Sequence, residues 1–208
     1  MAPAPLTKRR LLGLDRSGGP PPATLRGQPL NPWTVPNAIG FARLGLVPVF
    51  LVFAFTSGDG RSTTAALLFW LVTASDYFDG VVARMTGQYS RLGALLDPLV
   101  DRLIVASGVV VAWHFDLLPR WALAVLLARE VFMVAVTRLA LWRGADLNVN
   151  MLGRWAVWPT MFSLFLAMLV DTRVADAFLI VGLALTLVAT YQYVRAGWPA
   201  SRGPSTSA

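Results

Sequence analysis

From Asn37 to about Val194 the chain is a succession of long apolar runs separated by short polar breaks. Cut at those breaks it yields six segments, about Asn37–Phe55, Thr63–Arg84, Leu92–His114, Pro119–Leu141, Met151–Val170 and Val174–Val194. Each is close to the roughly 20 residues a helix needs to cross the hydrocarbon of a bilayer. The pattern predicts an all-α integral membrane domain of six transmembrane helices over residues 37–196. The flanks read differently. Across residues 1–36, Pro3, Pro5, Pro20, Pro21, Pro22, Pro29, Pro32 and Pro36 alternate with Gly, Arg and Thr, which predicts a disordered tail, and residues 197–208 predict a shorter one. After Lys8-Arg9-Arg10 the apolar run Leu11-Leu12-Gly13-Leu14 is closed at once by Asp15 and Arg16, too short for a secretory signal.

Composition agrees with a membrane as the main solvent: 56% of residues are hydrophobic, 14% are charged and the mean hydropathy is +0.59. With no cysteine, disulfides, thiolate-bound metals and cysteine nucleophiles are excluded. The net charge of +7 is not gathered into a soluble basic domain, which argues against a nucleic-acid partner. Six spans put both termini on one side. If that side is the cytoplasm, the tail, the Arg84–Arg91 turn, the Arg138–Arg154 loop and the Arg195/Arg202 end form a basic cytoplasmic face, while Arg61, Arg120 and Arg173 opposite are balanced by Asp59, Asp116, Asp171 and Asp176. That is the positive-inside pattern of a multi-pass protein of the cell (plasma or inner) membrane, and such a face also adheres to anionic membrane lipids.

Four carboxylates fall inside this apolar frame: Asp76 and Asp79 in the second span, Asp97 and Asp101 in the third. Ionisable groups in membrane helices are costly and mark function. Spacings of three and four put each pair on one helix face. Asp79 and Asp97 lie nine residues either side of Gln88, at the centre of the break, and Asp76 and Asp101 lie twelve and thirteen away. In an antiparallel hairpin rising 1.5 Å per residue the inner pair stands about 13 Å from the turn, with the outer pair one turn deeper, so all four converge at matched depth. Such a cluster requires protons or cations. With only oxygen ligands on offer, hard divalent ions, Mg²⁺ or Mn²⁺, are favoured, and two of them can clamp a diphosphate. The bland alternative is an aspartate-lined pore or proton relay. Gly80, Ala83 and Gly93 read either as close helix packing or as room for a nucleotide, and Arg84 either as a phosphate contact or as a cytoplasmic anchor.

Together these residues form Asp76-x2-Asp79-Gly80-x2-Ala83-Arg84-x8-Gly93-x3-Asp97-x3-Asp101, eight fixed positions that match the signature of the CDP-alcohol phosphatidyltransferase family. The resemblance covers the membrane domain but not the Pro-rich tail. It implies a cytoplasm-facing active-site cavity and a homodimer. It also implies attack of an acceptor hydroxyl on the β-phosphorus of CDP-diacylglycerol with departure of CMP. Carried over by position, Asp76, Asp79 and Asp97 become metal ligands, Asp101 the general base and a ligand of the second metal, and Gly80, Ala83, Arg84 and Gly93 the lining of the CDP-lipid site.

The acceptor is addressed by Ala128-Arg129-Glu130, a charged pair deep in the fourth span. Arg129 reads either as the partner of Glu130 or as a cavity group holding an anionic acceptor, with Arg138 and Arg154 at the adjacent cytoplasmic edge. Arginine forks suit phosphate, whereas choline or ethanolamine would call for acids or an aromatic cage. Val35-Pro36-Asn37-Ala38-Ile39-Gly40-Phe41-Ala42-Arg43-Leu44 and Ala128-Arg129-Glu130 resemble the branch whose acceptor is glycerol 3-phosphate. Arg102, where that branch commonly has lysine, and Ser90 to Pro98 also resemble cardiolipin synthases of the same fold, whose acceptor is phosphatidylglycerol; an inositol phosphate is a third choice. A transporter predicts inverted repeats and charges spread through the bilayer, neither of which is evident. His114, at the far end of the third span, and the many tryptophans read as interfacial or packing groups.

Overall fold

The computed structural model describes the backbone of residues 29–142 and 151–200. Every regular element in them is helical: α1 Val35–Thr56, α2 Thr63–Thr86, α3 Arg91–His114, α4 Arg120–Trp142, α5 Met151–Leu169 and α6 Arg173–Ala200. Five of the six predicted spans match within two residues at each end. The last helix runs six residues beyond Val194, and α1 starts at Val35, inside the segment expected to be tail.

Polar residues in the breaks set the helix starts. Thr34, Ser62 and Ser90 each accept a bond from the backbone N–H three residues on, at Asn37, Ala65 and Gly93, through a side-chain oxygen 3.4, 3.3 and 2.9 Å away. Each thereby satisfies a donor that the first turn leaves orphaned. Gly87 closes α2 with φ +65°, a conformation glycine adopts freely. At the end of α3 the Leu117 N–H reaches back to the Ala112 carbonyl while Asp116 takes φ +52°, a Schellman closure. Asp116 then pairs with Arg120 at 2.6 Å, and Arg61 pairs with Asp171 at 3.2 Å. The charges expected to balance one another on one face thus include two direct ion pairs.

Two compact units are present. In the first, which runs to Phe53 and resumes over Leu67–Ser107, Phe50, Phe69, Val72, Val100 and Ile104 form a buried core, with the Phe50 and Phe69 rings 5.5 Å apart. In the second, Ala54–Ala66 and the chain from Gly108 onward, Leu123, Leu126, Leu164, Met168 and Leu179 are buried. His114 ends α3 with its ring against Phe55 and Phe115, as expected of an interfacial packing residue. Many large apolar side chains point outward, among them Val52, Leu67, Leu71, Val110, Val131 and Val181, more than a water-facing surface tolerates in contiguous patches. Val35–Thr56, Thr63–Ala83 and Arg173–Arg195 are long and apolar enough to cross a membrane, and Ala156–Leu169 is a shorter apolar helix.

Helices α5 and α6 pack closely where Gly182 meets Thr160. A Cβ on Gly182 would lie 2.7 Å from the Thr160 backbone nitrogen, an atom that cannot swing aside. Gly182→Ala is therefore expected to destabilise the second unit by about 1–3 kcal/mol, the scale of overpacking. Thermal unfolding in detergent should show a lower midpoint with catalysis retained below it.

Candidate active site

The acidic hairpin is built by α2 and α3. Asp76 lies on α2; Asp97 and Asp101 lie one turn apart on α3. The outer pair, predicted from residue counts to stand at matched depth, is joined by one side chain: Arg43 of α1 donates from Nη1 to Asp76 Oδ1 at 3.1 Å and from Nη2 to Asp101 Oδ1 at 2.9 Å. Its Nε donates to the carbonyl of Val72, one turn before Asp76, at 3.3 Å. The Arg43 side chain is 2% exposed, whereas those of Asp76 and Asp101 are 46% and 47% exposed. The guanidinium lies on the buried side of the two carboxylates, which open outward. Asp97 is exposed.

A second connection lies at the turn. Asn37 Nδ2 donates to the carbonyls of Asn31 and Pro32 at 3.0 and 3.1 Å, Ser90 Oγ donates to Asn37 Oδ1 at 2.8 Å, and the Leu92 N–H reaches the Leu30 carbonyl at 3.3 Å. Residues 30–32, expected to belong to a disordered tail, are instead latched to the start of α3. Gly93 sits against this latch, where a Cβ would be 2.7 Å from Asn37 Oδ1 and 3.1 Å from Ser90 Oγ. Packing accounts for that glycine without reference to a nucleotide.

Of the other expected site residues, Ala83 is half-buried on α2 and Arg138 is exposed on α4. The side chains of Asp79, Gly80, Arg84 and Arg154, and residues 1–28, 143–150 and 201–208, lie outside the described residues. Arg129 pairs with Glu130 and donates from Nε to Thr190 Oγ1 at 3.0 Å, the first of its two expected readings. Arg102 is exposed, and its Nη1 lies 3.5 Å from the Pro98 carbonyl.

Reading the sequence missed Arg43, Asn37 and Ser90 as site-builders. For Arg43 a signal was available: it is a charge eight residues inside an apolar span, as conspicuous as Arg129. Among the described residues no three acidic or histidine side chains stand together as a metal cluster; Asp79 is not among them. The donor chemistry fits a hard divalent cation nonetheless, since the residues on offer are carboxylates, two of them drawn together and half-open to solvent.

A helical protein with membrane-length apolar helices and paired carboxylates in an eight-position acidic motif is, as a class, a membrane-embedded transferase. Residues 33–188 match the CDP-alcohol phosphatidyltransferase family, and the chain belongs to it. It is a multi-pass membrane enzyme of phospholipid biosynthesis. The chain is 28% identical to the CDP-diacylglycerol–glycerol-3-phosphate 3-phosphatidyltransferase of Bacillus subtilis over 81% of its own length and 97% of that protein. It is 36% identical to the cardiolipin synthase (CMP-forming) of Streptomyces coelicolor over 79% and 75% of the two chains. To a second CDP-diacylglycerol–glycerol-3-phosphate 3-phosphatidyltransferase, from Pseudomonas fluorescens, it is 30% identical over 79% and 90%.

The latch gives Gly93 a measurable role. Gly93→Ala pushes Asn37 out of its bonds to Ser90 and the 31–32 carbonyls, at a cost of about 1–3 kcal/mol. The unfolding midpoint in detergent should fall, and in an Asn37→Ala background the further fall should be much smaller.

Proposed function

We propose that this chain transfers the phosphatidyl group of CDP-diacylglycerol to glycerol 3-phosphate, releasing CMP. The observation that carries the reading is the pairing, through Arg43, of Asp76 and Asp101 of the eight-position motif. Asp76, Asp79, Asp97 and Asp101 would hold two Mg²⁺ or Mn²⁺ ions, which when bound neutralise the diphosphate and the departing CMP. Asp101 takes the proton of the acceptor hydroxyl as its oxygen bonds to the β-phosphorus, the one bearing diacylglycerol. The bond from that phosphorus to the bridging oxygen breaks, and CMP departs with that oxygen. Gly80, Ala83, Arg84 and Gly93 line the CDP-lipid site.

The acceptor is held by Arg129, Arg138 and Arg154, with Arg129 oriented by Glu130 and Thr190. All six helices span the cell membrane, both termini are cytoplasmic, the cavity faces the cytoplasm and the enzyme works as a homodimer. The basic face, and the direct pairing of Arg61 and Arg120 with acids, support this orientation. A second reading, transfer to phosphatidylglycerol, is favoured by the 36% identity with the Streptomyces coelicolor cardiolipin synthase.

The deciding assay is CMP release by detergent-purified protein from CDP-diacylglycerol with Mg²⁺ or Mn²⁺, offering the two acceptors separately. Stimulation by glycerol 3-phosphate is expected; stimulation by phosphatidylglycerol alone would establish the second reading, and none with either would overturn both. Asp101→Asn should lower turnover by about 10²–10⁴-fold, the contribution of a general base, with CDP-lipid binding retained. Arg129→Ala should raise the acceptor concentration for half-maximal rate while leaving that of the donor in place. An unchanged acceptor dependence with a lower unfolding midpoint would confine Arg129 to pairing Glu130.

A further inference from the structure

We infer that Arg43 is a positioning residue of the reaction: it fixes Asp101 relative to Asp76 from the buried side, so that the base and the metal-binding carboxylates share one geometry. The inference rests on the phosphatidyltransferase reading and assigns a role outside the eight-position motif.

Three features carry it. The first is geometry: Nη1, Nη2 and Nε each have a different partner, Asp76, Asp101 and the Val72 carbonyl. A planar guanidinium held at three points has no rotational freedom left, and it ties α1 to both helices of the acidic hairpin. The second is burial. At 1% exposure Arg43 is among the largest fully buried side chains, and a charge so placed persists only when paired. The third is polarity of access. Arg43 lies beneath carboxylates that are nearly half exposed, so it occupies their inner side and leaves the outer side to ions and substrate. Nη1 donates to Asp76 Oδ1 and Nη2 to Asp101 Oδ1.

A residue that orients ligands without being one has a distinctive signature. Removing a metal ligand weakens metal binding. Removing a cation from between two ligands leaves the site more negative, so metal is held as tightly or more tightly, but in the wrong geometry. Lysine cannot substitute, because one ammonium does not reproduce the fork.

The test uses full-length Arg43→Met and Arg43→Lys, with Asp76→Asn as the ligand-loss control. Mn²⁺ binding is measured by electron paramagnetic resonance and CMP release at saturating Mn²⁺. For Arg43→Met the Mn²⁺ dissociation constant is expected to stay or fall, the spectrum of bound Mn²⁺ to change shape, and kcat to drop about 100-fold, the scale of a misplacement near 1 Å. Asp76→Asn should instead weaken Mn²⁺ binding. Should Arg43→Met fail to fold, Arg43→Lys retains the charge and is expected to show the same altered spectrum and reduced kcat. Wild-type kcat, an unchanged Mn²⁺ spectrum, or Mn²⁺ affinity falling in step with kcat in the folded variants would each overturn the proposal, as would wild-type protein that binds no Mn²⁺. A wild type that binds Mn²⁺ but releases no CMP would remove the transferase reading alone, and the spectra would still decide whether Arg43 orders the carboxylates.

Discussion

A permanently charged guanidinium buried in an apolar helix frame exists only where opposite charge meets it, and the first unit of this protein is arranged around that constraint. Arg43 draws one carboxylate from each helix of the hairpin, and its Nε donates to the carbonyl of Val72. The need runs both ways. Asp76 and Asp101 are carboxylates brought to one point, and the guanidinium between them offsets their mutual repulsion. Phe50, Phe69, Val100 and Ile104 pack the same unit, but apolar packing is non-directional and would tolerate small slips of one helix past another. The ion pairs and the Asn37–Ser90 bond do not. They act as two rungs that set the position of α1 against the acidic hairpin.

Much of this was legible in the sequence because the membrane leaves few options. Apolar runs of membrane length must be helices, since backbone groups in hydrocarbon have to pair within the segment, and this is why the predicted ends of α2, α3, α4 and α5 agree with the observed ones. Counting residues from Gln88 placed Asp76 opposite Asp101 for the same reason: a hairpin of two regular helices converts sequence distance directly into depth. What escaped were contacts between residues far apart in sequence. Asn37 and Ser90 are 53 positions apart, and neither is unusual for its place; a polar residue at a helix start is read as a cap. Ser90 is a cap as well, its oxygen accepting from Gly93 while it donates to Asn37. One hydroxyl serves both purposes, and only the first is local.

Gly93 shows how a signature residue can carry a structural duty. Its place in the motif implies contact with the nucleotide, yet its missing side chain is already required by Asn37 and Ser90. The two duties are compatible, because a latch that brings residues 30–32 over the start of α3 also shapes the same end of the hairpin. Glycine there answers a packing constraint, and in the proposed function the same missing side chain would leave the backbone open to a ligand.

The charge of Arg43 also bears on what the site can hold. In the proposed two-metal site, four ionised aspartates against one arginine would leave three negative charges, enough to attract divalent cations strongly. With two such cations bound, the same set carries one net positive charge. Without the arginine it would be neutral. A donor bearing a diphosphate is anionic, and so is either candidate acceptor, so a net positive centre attracts both where a neutral one would not. In the proposed site, placing that extra charge beneath the carboxylates, on arginine, would supply the attraction and leave the outer face to ions and substrate.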